Sequence, residues 1–184
     1  MIGNRQSLVT GGGGFIGSHL VRQLLENDET VRVLELPDVP LPDNVEVVRG
    51  SICDAHIVRK ALKGVQRLYH LAANPNLWAQ RKSDFNLVNF EGTRTIFAEA
   101  AKQDLEVIVY TSTESILTGN ARGDTLVNAA VVRKLSECPV LIAAQNFLLS
   151  KKLLKPPKRD CRLSLLPLHC LSAQEIAGSI LQRE

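Results

Sequence analysis

The 184 residues suffice for one domain with a buried core, and 45% apolar with 22% charged residues is an ordinary soluble composition. No apolar run reaches membrane-spanning length and no basic-then-apolar leader opens the chain, so a cytoplasmic protein without a membrane partner is expected. A net charge of +3, few aromatics and no recognisable nucleic-acid motif exclude nucleic acid as an expected partner.

"SLVT" (Ser7 to Thr10) predicts a short apolar strand running into "GGGGFIGSHLVRQLLEN", where Phe15, Ile16, Leu20, Val21, Leu24 and Leu25 recur at helical spacing. "TVRVLEL" (Thr30 to Leu36) predicts a second strand that stops at Pro37, with Pro40 and Pro42 keeping the next stretch irregular. "VEVVRG" (Val45 to Gly50) predicts a third. Asp54 caps a helix through about Lys63, and "VQRLYHLAA" (Val65 to Ala73) predicts a fourth strand. A long helix fits Phe85 to Lys102, followed by the strand "EVIVYTS" (Glu106 to Ser112). Strands alternating with helices imply an α/β fold: a Rossmann-like, doubly wound parallel sheet.

Residues 1–120 carry 12 Lys and Arg against 14 Asp and Glu, whereas residues 121–184 carry 10 against 5. The tail also holds three of the four cysteines, two of the 12 glycines and one aromatic, Phe147. This break divides a dinucleotide-binding domain, residues 1–120, from an atypical basic tail, residues 121–184, expected to be irregular or helical. "NFLLSKKLLK" in that tail carries good helix formers, and a basic amphipathic helix on a membrane surface is one alternative. Cys53, Cys138, Cys161 and Cys170 show no CxxC or Cys/His metal spacing, so reduced thiols and no metal are expected.

Gly11, Gly14 and Gly17 stand at GxxGxxG spacing between the first strand and the first helix. The first permits a tight turn, the second lets backbone amides approach a pyrophosphate, and the third lets helix and strand pack closely. A purely structural turn is the alternative. Glu35 ends the second strand, 24 residues after Gly11, where a carboxylate accepts bonds from the adenosine ribose hydroxyls and repels a 2′-phosphate. That favours NAD over NADP, with Arg32 facing away by strand alternation; a solvated strand end is the alternative reading of Glu35.

These residues resemble the extended short-chain dehydrogenase/reductase family, the NAD-dependent epimerases, dehydratases and reductases of nucleotide sugars and small carbonyl compounds. The similarity is collinear from Leu8 to about Gly119. "VTGGGGFIGSHL" resembles the cofactor loop, which includes Phe15 and Ile16. "VVRGSICD" resembles the "GDxxD" segment beside the adenine, placing Ser51 and Ile52 there, with Ser51 where the family usually has aspartate. "YHLAA" resembles the strand end lining the cofactor pocket (Leu71, Ala72, Ala73), and "NFEGT" resembles "NxxGT", with Asn89 at its head. "NPNLWAQ", with Trp78, is similar to dihydroflavonol reductases and hopanoid-associated sugar epimerases. The resemblance implies NAD as cofactor, a small-molecule substrate and a homodimer in intact relatives. It also assigns the catalytic hydroxyl to Thr113 in "YTSTES", with Ser112 and Ser115 as alternates and a plain strand-end hydroxyl as the remaining reading.

In that family the hydroxyl works beside the tyrosine of a downstream YxxxK motif. This chain has two tyrosines, Tyr69 and Tyr110, and neither begins YxxxK. Back-translated with degenerate codons and read from each third base, Cys138 to Phe147 permit the rest of "MPGPYCRSKF", with the tyrosine across Leu141 and Ile142 and the lysine across Gln145 and Asn146. Leu148 to Lys151 continue as "LAEQ", and Leu154 to Leu163 permit "EAAKAGLPV". The expectation is that the chain leaves the family's frame between about Thr125 and Glu137 and lacks the last sheet strands and the substrate domain. A natural, divergent C-terminal segment is the alternative. Three function classes follow: a truncated enzyme without turnover, a non-catalytic dinucleotide-binding module or redox sensor, and a non-functional gene product.

Overall fold

The computed structural model describes residues 5–74, 85–113 and 162–168, with Ser112, Thr113 and the last seven as backbone. Trp78, Ser115, the domain boundary at 120, the cysteines 138, 161 and 170 and the frame-shifted reading of 138–151 lie outside the described residues.

Six parallel strands form one sheet in the order β3-β2-β1-β4-β5-β6. They are β1 (Gln6–Thr10), β2 (Thr30–Glu35), β3 (Glu46–Arg49), β4 (Arg67–His70), β5 (Val107–Thr113) and β6 (Arg162–Leu168). Three helices are described: α1 (Phe15–Glu26), α2 (Ala55–Leu62) and α3 (Thr93–Ala100), the last entered through a π-helical segment, Asn86–Gly92. Strand pleating sends alternate side chains to opposite layers. Leu8, Leu34, Leu68 and Ile108 pack with Val58, Leu62 and Ile96 on the α2/α3 side. Val9, Val31, Val33, Tyr69 and Val109 pack with Leu20, Val21 and Leu24 of α1 on the other. The central strands are therefore buried on both faces, as a doubly wound parallel sheet requires.

Arg32 lies on the α2 side, as strand alternation predicts. Its Nη1 donates to the carbonyls of Ala61 and Lys63, both at 2.7 Å, and its Nη2 pairs with Glu46 at 2.9 Å. A cation there meets the negative end of the α2 dipole. At the other end of α2, the Asp54 carboxylate accepts from the amides of His56 and Ile57, the predicted cap.

Three elements depart from expectation. β4 stops at His70 and not Ala73, because the chain bends past Gly11 and takes side-chain partners described below. The predicted helix over 85–102 opens into a wider π turn for seven residues. The tail, expected to be irregular or helical, supplies β6, which pairs with β5 from Val107↔Arg162 to Thr113↔Leu168. That pairing is non-local and leaves little trace in composition.

Candidate functional site

All strands run the same way, so their C-terminal ends share one edge, and the residues expected to bind a dinucleotide gather there. β1 delivers the glycine loop and β2 delivers Glu35. β3 leads through Gly50 to Ser51 and Ile52, and β4 leads to Leu71, Ala72 and Ala73. The β5 end carries Ser112 and Thr113, beyond the His70↔Tyr110 register pair.

The loop is a cradle shaped by missing side chains. Gly11 has φ +74°, and a Cβ on it would lie 2.9 Å from Cα of Ala72. A Cβ on Gly17 would overlap the Gly11 carbonyl and stand 2.8 Å from Cα of Gly12. Gly14 caps α1 with backbone alone, its amide bonded to the Gly11 carbonyl at 3.1 Å, and no acidic side chain occupies the first turn of α1. The amides of Phe15, Ile16 and Gly17 are then the orphan donors of a helix N-terminus, a natural seat for a phosphate. Phe15 is 73% exposed beside that end, whereas Ile16 packs against the core.

Glu35 Oε2 accepts the Gly13 amide at 3.0 Å and Oε1 accepts the Leu36 amide at 2.9 Å. The carboxylate is thereby aimed across the loop. Ser51 Oγ accepts the Cys53 amide at 3.1 Å, turning the chain toward α2. Ile52 is buried against Gly92, so its side chain belongs to the core. Asn89 is buried on the π-helical segment with both halves of its amide committed to Asn74: Oδ1 accepts the Asn74 amide at 2.7 Å and Nδ2 donates to its carbonyl at 3.1 Å. It holds the chain after Ala73.

Residues that the sequence reading did not single out also meet here. His70, fully buried, lies between Thr10 Oγ1 (2.7 Å from Nδ1) and Thr93 Oγ1 (3.0 Å from Nε2). Its ring stacks on Tyr110, centroids 5.6 Å apart and planes at 17°. Burial pushes its pKa down to about 3, so the imidazole is neutral. Burial also pushes the Tyr110 phenol well above its ordinary range, and Tyr69 has no exposed surface. Neither tyrosine is placed to exchange a proton with a substrate. A histidine ending an apolar strand was the available signal; its threonine partners are 60 and 23 residues away. Among the described residues, no group of His, Cys, Asp and Glu could hold a metal ion, and no helix is long and apolar enough to cross a membrane.

The chain matches the 3-beta hydroxysteroid dehydrogenase/isomerase family over residues 8–152, past the composition break at 120. It is 38% identical over 121 residues to a putative dihydroflavonol 4-reductase of Synechocystis sp., covering 63% of this chain and 34% of that protein. It is 33% identical over 113 residues to the sterol-4-alpha-carboxylate 3-dehydrogenase (decarboxylating) of Mus musculus, covering 61% and 31%. The chain thus spans about a third of the length of the curated relatives it matches. Among solved structures, a short-chain dehydrogenase/reductase superfamily protein from Agrobacterium tumefaciens with bound NAD superposes with a TM-score of 0.74 at 25% identity, over 89% of this chain and 48% of that one. A six-strand parallel sheet with the glycine cradle at its C-terminal edge, together with the match over 8–152, shows that the chain belongs to the 3-beta hydroxysteroid dehydrogenase/isomerase family of extended short-chain dehydrogenases/reductases.

Proposed function

We propose that this chain is the NAD-binding portion of an NAD-dependent epimerase, dehydratase or reductase whose intact relatives act on a nucleotide sugar or a small carbonyl compound. The observation that carries this reading is the Glu35 carboxylate bonded across the glycine loop to Gly13. It sets an acceptor for ribose hydroxyls beside a phosphate cradle and disfavours a 2′-phosphate there. The residues fit the cofactor: Gly11 and Gly17 let the loop close on Ala72 and on α1, Gly14 opens the helix without a side chain, and the first turn of α1 offers unpartnered amides with no acidic side chain beside them. Ser51 and the Ile52 backbone are assigned to the adenine side by the family resemblance, and Leu71 to Ala73 wall the pocket beside Gly11. Bound NAD supplies a hydride acceptor. The family resemblance gives Thr113, with Ser112 as alternate, the role of bonding the substrate oxygen. The proton that must leave that oxygen has no YxxxK tyrosine among the 184 residues to receive it, so this polypeptide does not turn over. With neither that tyrosine nor its lysine, it binds NAD weakly or not at all. The same reading places this chain in the cytoplasm and gives a homodimer to its intact relatives.

A second reading, a non-catalytic dinucleotide-binding module, is favoured by β6, since a tail that completes the sheet supports a folded unit. Calorimetric titration of the 184-residue chain with NAD, followed by a hydride-transfer assay, tests both. Weak binding without turnover is expected, and tight saturable binding without turnover favours the module. Robust turnover overturns the inactivity, and absence of NAD binding even after the frame is restored overturns the cofactor reading.

A further inference from the structure

The segment Leu71–Asn74, between β4 and the undescribed residues that follow, is held from below and behind by buried side chains. Thr10 Oγ1 accepts the Ala72 amide at 3.2 Å, and the Thr10 carbonyl accepts the Leu71 amide at 3.1 Å. Asn89 grips Asn74 through two bonds. Ala72 is also the residue whose Cα closes on Gly11, so the position of this shelf sets the width of the cradle.

Thr10 has no exposed surface from which water could help its hydroxyl keep that place. His70 Nδ1, 2.7 Å away, is the second partner that fixes it. A neutral imidazole offers one donor and one acceptor, so the bonds through Thr93, His70 and Thr10 run in a single direction. Tyr110 stacked beneath the ring and Phe97 at its edge (6.3 Å, 82°) keep the imidazole from turning. We propose that His70 is a positioning residue: by fixing the Thr10 hydroxyl against the Ala72 amide, it sets the Leu71–Asn74 shelf against Gly11 and so the shape of the cofactor cradle. The effect on cofactor rests on the NAD reading above; the effect on the shelf does not.

The test is amide hydrogen exchange of Ala72 in the free 184-residue chain, compared across His70→Phe, His70→Asn and Thr10→Val, beside each variant's thermal midpoint. Phenylalanine fills the ring's place and keeps its stacking but has no nitrogen for Thr10. Asparagine leaves a void, yet its amide reaches the place of Nδ1. A packing role makes the asparagine variant the worse of the two in both measurements. The positioning role reverses the order for Ala72. Exchange accelerates ~10-fold in His70→Phe and Thr10→Val, the worth of one hydrogen bond, and stays within ~3-fold of wild type in His70→Asn despite its lower midpoint. Ala72 exchange that follows the thermal midpoints overturns the proposal. NAD affinity is read in parallel and falls in step with Ala72 exchange. A wild-type chain that binds no NAD silences the affinity readout and leaves the exchange order to decide the role of His70.

Discussion

The Glu35 carboxylate and the Gly13 amide meet at 3.0 Å, joining the end of β2 to the middle of the glycine loop. The acid is thus held in place before any ligand arrives, with its second oxygen on the Leu36 amide. Preorganisation of this kind spares a ligand the ordering of a free glutamate side chain.

Replacing Glu35 by alanine should weaken NAD binding ~10- to 100-fold, the range for hydrogen bonds to a charged group. It should also abolish preference for NAD over NADP, because the charge that repels a 2′-phosphate is gone. Calorimetry with both nucleotides reads this, and an unchanged ratio of affinities contradicts the role given to Glu35.

Gly17→Ala should destabilise the chain by about 1–3 kcal/mol, because the added methyl meets backbone that cannot swing aside. Gly14→Ala, whose Cβ would stand 3.3 Å from the Gly11 carbonyl oxygen, should have the smaller effect. Urea midpoints of the two variants give the comparison, and equal midpoints would show that the cradle yields.

Stability should rise with pH between about 5 and 6.5. His70 has an ordinary value of 6.5 and is pushed down to about 3 in the folded chain, so in that window the unfolded state binds a proton that the folded state refuses. Unfolding free energy therefore climbs by up to about 1.4 kcal/mol per pH unit as pH rises and levels off above 6.5. Below about 4.5 the carboxylates join in. Glu46, bonded by Arg32, and Glu99, bonded by Arg59 and Lys102, sit below the ordinary carboxylate range, and their stabilisation is lost as acid protonates them. His70→Phe should remove the slope from pH 5 to 6.5 and leave the acid limb.

Sequencing the source DNA across the codons for Asn120 to Ser150 should reveal an inserted or lost base that brings "PYCRSK" into frame. The frame-restored enzyme should turn over with NAD, and Thr113→Val in it should lose ~10²- to 10³-fold in rate, the usual worth of a group that hydrogen-bonds the reacting oxygen. A frame that stands as written makes the tail native sequence and moves the search to binding without catalysis.

The cradle was legible because its chemistry is local. Gly11, Gly14, Gly17 and Glu35 owe their placement to spacing and to flanking strand and helix, all within 25 residues. The Asp54 cap and the turn of Arg32 away from Glu35 were legible for the same reason. The π turn was not, since nothing in "NLVNFEG" marks a wider turn, and its consequence appears only where Asn89 meets Asn74 across 15 residues. His70 was visible as a polar residue in an apolar strand, but its office depends on Thr10 and Thr93, which only the folded sheet brings to it. β6 was the deepest miss: the composition of residues 121–184 suggested an irregular or helical tail, whereas Arg162–Leu168 pairs with an edge 55 residues earlier in the chain.

That edge has a bearing on how such chains persist. A parallel ladder is joined through backbone groups, which every residue except proline carries in full. Pro167 lies within β6, opposite Ser112, on the outermost strand where a missing amide is tolerated. The first five strands act as a template that selects for extension and apolar character and is nearly blind to residue identity. If the source DNA restores the family's frame, a rewritten tail has still been enlisted as the sixth described strand, and a reading-frame change that destroys the chemistry can leave the architecture standing.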